Sequence, residues 1–170
     1  MLVLGTDPGL AALGFGSIHW EPNEVVPVQV GTIRTDSKLP LQERIRKHVG
    51  VLSSVDSEVI GIENQERAWA GMQVLGRTSA DAVKVRVVEG VIRTLAVFRA
   101  VPLIEVTPAQ IRSALGLPAG ATKQQVRAMV MRRIKGLPLM SEHATDAVAI
   151  ALATGARWSV LSRLQQRRLR

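Results

Sequence analysis

The hydrophobic positions of the chain follow two patterns: short apolar runs typical of strands, and longer stretches with the spacing of an amphipathic helix. The short runs predict five strands, at residues 2–6, 13–20, 25–35, 58–63 and 101–106. Helical spacing predicts five helices, at residues 41–55, 77–99, 107–114, 122–135 and 142–155. Residues 64–76 follow neither pattern and are predicted to form a loop.

The order of these elements predicts an α/β fold. The links between the first three strands are short, which indicates an antiparallel meander. The last two strands alternate with helices, so we expect right-handed β-α-β crossovers and helices on both faces of a five-stranded mixed sheet. We assign residues 1–156 to one domain and residues 157–170 to a basic C-terminal tail.

The predicted helix at 77–99 is apolar over an unusually wide arc. One apolar stripe consists of Val83, Val87, Val91, Leu95 and Phe98, and a second consists of Ala82, Val85, Ile92 and Ala96. A helix with two apolar faces covers more than one partner. We expect one face to pack on the sheet and the second stripe to pack on another copy of the chain, which would make the protein a homodimer.

Composition excludes several classes of protein. The 170 residues are 46% hydrophobic, enough for one sizeable core. No apolar run approaches the length of about 18 residues that a membrane-spanning helix needs. The chain has no cysteine, which excludes disulfides, thiolate metal sites and a cysteine nucleophile. The first residues lack the pattern of a signal peptide, so we expect a cytoplasmic protein that does not bind a membrane.

The net charge of +8 is concentrated in two segments. Residues 120–136 and 157–170 each hold five basic residues and no acidic one, and the rest of the chain is nearly neutral. Such a local excess is typical of a surface that meets a polyanion such as nucleic acid. The alternative is that these residues only make helix faces soluble.

Three of the fourteen acidic residues lie at the ends of strongly apolar elements. Asp7 and Glu63 each close a predicted strand, and Asp146 leads the stretch DAVAIALA. A buried unpaired charge is costly, and clustered carboxylates repel one another unless a cation neutralises them. Either each acid caps or pairs separately, or the three share a site for a hard divalent ion such as Mg²⁺. The two strand ends favour the shared site.

The histidines differ in their surroundings. His143 lies three residues before Asp146 and therefore on the same face of a predicted helix. We predict that it binds metal or takes part in catalysis, the alternative being a structural histidine. His19 and His48 have no candidate metal ligand beside them in the sequence and are expected on the surface. Among the remaining acids, Glu142 is also expected on the surface. The motifs of other enzyme classes, such as GxxxxGK[ST], HExxH and GxSxG, are absent from the sequence.

Four motifs together resemble those of RuvC, the bacterial and phage family of Holliday-junction resolvases. They are GTDPGLxxxGFG at 5–16, IEN at 62–64, TKQQV at 122–126 and HATDAVAIA at 143–151. Their order and spacing match over about residues 1–155. The resemblance implies an RNase H-like fold and a homodimer that makes paired, symmetric nicks in four-way junction DNA, in recombination and repair or in phage DNA debranching. It also implies dependence on Mg²⁺, with two ions per active site acting as a clamp on the scissile phosphate.

The resemblance assigns roles to particular residues. The family's metal-binding positions fall on Asp7, Glu63, His143 and Asp146. Many members carry aspartate at the position of His143. Imidazole is a better ligand for Mn²⁺ than for Mg²⁺, so Mn²⁺ is expected to substitute for Mg²⁺.

Basic residues of the family that lie near junction phosphates fall on Arg112 and Lys123. We expect Arg67, Arg77 and Arg127 at the DNA as well. Where many members carry an aromatic residue that wedges into the junction, this chain has Glu66, which cannot stack. Trp69 is the nearest substitute, unless it serves ordinary packing.

Three functions stay open on the sequence. The first is a junction resolvase, with a branch-migration helicase as a possible partner. The second is a related RNase H-like nuclease that acts on RNA or on other branched DNA. The third is a junction-binding protein without activity, although such a protein gains nothing from acids that face DNA.

Overall fold

The computed structural model describes residues 1–64, 80–134, 137 and 140–168. Its strands are β1 (Leu2–Asp7), β2 (Ala12–Glu21), β3 (Glu24–Arg34), β4 (Val59–Glu63) and β5 (Leu103–Val106). Its helices are α1 (Leu41–Ser53), α2 (Ala80–Phe98), α3 (Pro108–Ala114), α4 (Lys123–Arg133) and α5 (Glu142–Arg168). Each element predicted from the sequence is present in the predicted order. The predicted loop lies outside the described residues, except for Asn64.

The five strands form one mixed sheet in the order β3-β2-β1-β4-β5. β1 pairs antiparallel with β2, and β2 pairs antiparallel with β3. β1 runs parallel to β4, and β4 runs parallel to β5. The prediction of an antiparallel meander followed by parallel strands is therefore confirmed, and the carboxyl ends of β1, β4 and β5 lie at one edge.

Alternation along the strands divides the core into two layers. Val3 of β1 and Val59 of β4 belong to the layer that α3, α4 and α5 cover. Their neighbours Leu4 and Ile60 belong to the opposite layer, which α1 and α2 cover. Helices thus protect both faces of the sheet, as predicted. Among the helices of the described part, none is long and apolar enough to cross a membrane.

Helix α5 is longer than predicted. The expected end near residue 155 is wrong, because the helix continues to Arg168. Gly155 does not end the helix. It packs against Trp20, whose ring atoms would lie 2.5–2.7 Å from a Cβ at that position. Trp158 and Leu161 then continue the contact with the core. The basic residues at 157–168 therefore extend a helix, and their separation from residues 1–156 as a tail stays a prediction.

The apolar faces of α2 are assigned differently from the prediction. Ala82, Ile92 and Ala96, which belong to the stripe expected at a second subunit, are buried in the core beneath α2. The other stripe carries exposed positions, since Val83 is 52% exposed and Phe98 is 85% exposed. The prediction assigned the two stripes to the wrong faces, because periodicity shows how many faces of a helix are apolar but not which of them packs on the sheet.

His48 is buried on α1, although we expected it on the surface. Its Nε2 lies 3.0 Å from the carbonyl oxygen of Leu10, in the turn that follows β1. Burial is the main cause that lowers the pKa of His48, with smaller contributions from nearby Arg44 and Lys47. The neutral ring therefore ties α1 to this turn. His19 is exposed, as predicted.

Candidate active site

Strand alternation places two of the predicted acids side by side. Asp7 ends β1 and Glu63 ends β4, the parallel strand beside it, whose register aligns Thr6 with Ile62. Two residues before these acids, Gly5 and Gly61 face α5. Because side chains two apart lie on the same face of a strand, both carboxylates project toward α5.

Glycines let α5 lie directly on the sheet. A Cβ at Gly5 would lie 2.9 Å from Cα of Ala151 and still closer to the carbonyl oxygen of Ala147. A Cβ at Gly14 would collide with the carbonyl oxygen of His143. Gly14 pairs with Asp7 across the β1–β2 ladder. The first turn of α5 is therefore held close above the end of β1.

The start of α5 is fixed by Ser141. Its hydroxyl accepts a hydrogen bond from the backbone N–H of Ala144 at 3.2 Å, as a residue at a helix N-terminus does. The same hydroxyl contacts the hydroxyl of Thr32 on β3. Sequence reasoning missed both residues, although a serine directly before a predicted helix is a capping signal. Together they set the position of His143 and Asp146.

His143 contacts Asp7 directly. The ring Nδ1 lies 2.7 Å from Oδ2 of Asp7, in a contact where the carboxylate is mostly covered and the imidazole is half-exposed. With its proton on Nδ1, the ring donates to Asp7 and carries its lone pair on Nε2. The structure therefore brings together two residues 136 positions apart in the chain.

The carboxylates of this site repel one another. Burial raises the pKa of Glu63, and the charges of Asp7 and Asp146 raise it further, while Lys123 and Arg112 lower it. Burial also raises the pKa of Asp146, again with Asp7 as the next cause. These acids therefore lie close enough for their charges to interact, and their use as one shared metal site stays a prediction.

A cleft of about 500 Å³ joins the four predicted ligands. Asp7, Glu63, His143 and Asp146 line it, and so does Glu142, which we had expected only on the surface. Hard carboxylate oxygens with one imidazole suit a divalent cation, and their repulsion favours one. Within the described ranges, no three such side chains already converge closely enough to form a metal site.

Two basic residues, Lys123 and Arg112, line the cleft as a basic wall, and their contact with DNA stays a prediction. Lys123 begins α4 after Thr122, which forms a reciprocal capping box with Gln125. Arg112 lies on the last turn of α3, and its buried Nε has no hydrogen-bond partner among the residues that the structure describes. Arg127 lies one turn beyond Lys123 and is not part of the cleft wall. The positions expected for Arg67, Trp69 and Arg77, as well as Glu66, lie outside the described residues.

A family model and curated relatives match this chain over most of its length. The family model for crossover junction endodeoxyribonuclease RuvC matches residues 3–154. The RuvC of Protochlamydia amoebophila is 31% identical over 153 residues, which cover 89% of each chain. The RuvC of Zymomonas mobilis is 32% identical over 171 residues, which cover 100% of this chain and 99% of the relative.

Solved structures share the fold. The structure of Thermus thermophilus RuvC is 28% identical, with a TM-score of 0.75, and the match covers 94% of this chain and 97% of that one. The same protein in complex with a Holliday junction substrate is 26% identical, with a TM-score of 0.73, over 94% and 96%. The yeast mitochondrial Holliday junction resolvase Ydc2 is only 15% identical, with a TM-score of 0.58 over 93% and 78%, and supports the fold alone. The predicted RNase H-like fold is confirmed.

Proposed function

The chain belongs to the RuvC family of crossover junction endodeoxyribonucleases, and from that premise we propose that it resolves four-way DNA junctions by paired, symmetric nicks. The family consists of metal-dependent nucleases, which are hydrolases. The observation that carries the proposal is the cleft lined by four carboxylates and His143 together with the basic residues Arg112 and Lys123. Such a site can bind the phosphates of DNA beside a metal ion that promotes their hydrolysis.

We assign Asp7, Glu63, His143 and Asp146 to the binding of divalent metal, with Mg²⁺ as the expected ion, two per site, and Mn²⁺ as a substitute. Bound metal would supply positive charge at the scissile phosphate and lower the pKa of a water molecule. The chain's own part is to hold the ligands. Asp7, at the end of the central strand, would contribute its carboxylate to the metal site, while His143 would bind metal through Nε2 or help to orient a water molecule.

The basic wall is proposed to bind the phosphates of the junction. Lys123 is exposed at the start of α4, and Arg112 lines the same cleft as the carboxylates. Both cations offset the negative charge of the acids, which would otherwise repel DNA. Arg127 is assigned to a neighbouring phosphate. Contacts by Arg67, Arg77 and Trp69 stay predictions.

A symmetric pair of nicks needs two active sites, so we propose that the protein acts as a homodimer. The exposed positions of α2, Val83, Val97 and Phe98, offer the apolar surface for it. Sedimentation equilibrium at micromolar concentration tests this proposal, which a monomer would contradict. A helicase partner and a cytoplasmic location stay predictions.

Substrate competition tests the proposed function. We expect cleavage of a labelled four-way junction to resist an excess of linear duplex or RNA hairpin and to be suppressed by unlabelled junction. Nicks should fall at symmetric positions and leave ends that a ligase rejoins. Equal cleavage of duplex or RNA would favour a broader RNase H-like nuclease instead.

A further inference from the structure

We infer that Asn64, Glu105 and Arg93 form a positioning network that holds the carboxylate of Glu63 in the active site from the opposite face of the sheet. Asn64 directly follows Glu63. Its Nδ2 donates a hydrogen bond to Oε2 of Glu105 at 2.6 Å. The other carboxylate oxygen of Glu105, Oε1, lies 2.7 Å from Nη1 of Arg93 on α2. The inference rests on the proposed metal-dependent cleavage.

Strand alternation places this network behind the active site. Ile60 and Ile62 pack in the layer beneath α2, and Asn64 is the next residue on the same face of the chain. Leu103 of β5 packs on that layer as well, and Glu105 lies two residues after it. Glu63 projects to the face of α5, whereas Asn64 and Glu105 project to the face of α2. Asn64 and Glu63 share a peptide bond, so a restraint on Asn64 also limits the backbone that carries Glu63.

The network acts where the sheet ends. The ladder between β4 and β5 finishes at the pair of Glu63 and Val106, and the backbone N–H of Asn64 donates to the Val106 carbonyl at 2.8 Å. The side-chain bond to Glu105 is a further restraint on the peptide that carries Glu63.

A purely structural role explains this arrangement poorly. Arg93 is 47% exposed and Glu105 is 32% exposed, and ion pairs with that much solvent contribute little to folding stability. Side chains that orient metal ligands have larger effects on metal binding, because a ligand must be held in place before the ion arrives. Loss of the network should therefore change metal binding far more than it changes unfolding.

The test compares Glu105→Ala with Glu24→Gln, a control at an exposed glutamate in the hairpin between β2 and β3. Three quantities are measured: the Mn²⁺ concentration that gives half-maximal cleavage, the rise in Tm on adding Mn²⁺ without DNA, and junction affinity in EDTA. For Glu105→Ala we expect both metal curves to shift to about 10-fold higher Mn²⁺. Junction affinity and the Tm in EDTA should stay at the values of the control.

A double variant that exchanges the amide of Asn64 and the carboxylate of Glu105 tests whether the hydrogen bond between them, rather than the charge at either position, holds Glu63 in place. Asn64→Asp alone sets two carboxylates against each other and should weaken Mn²⁺ binding, whereas Glu105→Gln alone can keep both contacts by donating to the Asn64 amide oxygen and accepting from Arg93. The double variant Asn64→Asp/Glu105→Gln restores a donor–acceptor pair of the same shape and should recover most of the wild-type curve.

Two results would overturn the inference: Mn²⁺ curves for Glu105→Ala that coincide with those of the control, or a double variant no better than Asn64→Asp alone. Absence of junction cleavage by the wild-type protein would instead contradict the proposed function. The shift in Mn²⁺-induced stabilisation would still report on the network in that case.

Discussion

Gly14→Ala is expected to separate His143 from Asp7 and to remove most of the activity. Gly14 faces Asp7 across the ladder, and an added Cβ would lie 3.1 Å from Cβ of His143 and much closer to its backbone carbonyl. A backbone group cannot swing aside as a flexible side chain can. The first turn of α5 must therefore rise from the sheet, and the 2.7 Å contact between His143 and Asp7 must lengthen.

The size of the effect follows from this displacement. Overpacking of a well-packed site costs about 1–3 kcal/mol. For a chain of this length each kcal/mol lowers Tm by about 2–4 °C. A misplacement of about 1 Å in an active site costs about 100-fold in rate. We therefore expect Gly14→Ala to lower Tm by a few degrees and the rate of junction cleavage by about 100-fold.

Gly50→Ala is the matched control. Gly50 lies within α1, and a Cβ there would meet nothing within 4 Å. Alanine in a helix is more favourable than glycine by about 0.5–1 kcal/mol, so this variant should raise Tm and keep the wild-type rate. Thermal unfolding and single-turnover cleavage measure both variants. Wild-type Tm and rate in Gly14→Ala would refute the close approach of α5 to the sheet.

Four further substitutions, at three residues, test the site. Asp146→Asn should raise Tm in EDTA at neutral pH, because the folded-state pKa of this carboxyl is raised, which destabilises the folded protein as pH rises through that pKa. The gain should vanish as pH falls toward the ordinary carboxyl value of about 3.9, and a gain that does not depend on pH would contradict the electrostatic account. Lys123→Ala should weaken junction binding and reduce the slope of log K against log salt by about 0.9, whereas an unchanged slope would make Lys123 a surface residue that does not contact DNA. His143→Asp should keep activity and shift the preference from Mn²⁺ toward Mg²⁺, while His143→Ala should lose most of the rate, since it removes a ligand. If wild type and both variants show the same rate and ion ratio, His143 lies outside the active site.

Much of the fold could be predicted because its elements are locally encoded. β1 and β4 are apolar runs that each end in an acid, and alternation within them places both acids on one face. Capping residues Thr107 and Thr122 mark the starts of α3 and α4. The acids at strand ends were found for the same reason, since an uncompensated charge beside a core is conspicuous in the sequence.

Other features depend on contacts between distant segments. Gly155 has the appearance of a helix end in the sequence, but its role is set by Trp20 on β2. Burial of His48 depends on the carbonyl of Leu10, a backbone group without any sequence signature. The pairing of Asn64 with Glu105 joins two strands that no local pattern aligns. These positions need the tertiary structure.

The central claim is that the acids around Asp7 act on junction DNA through bound metal and do not themselves hold the DNA. Asp7→Asn tests it most directly, with cleavage of a four-way junction in Mg²⁺ and Mn²⁺ measured beside junction affinity in EDTA. We expect cleavage to fall below detection with either ion, while affinity equals or exceeds that of the wild type because a charge facing phosphate is removed. Cleavage near the wild-type rate in Mg²⁺ would contradict the account.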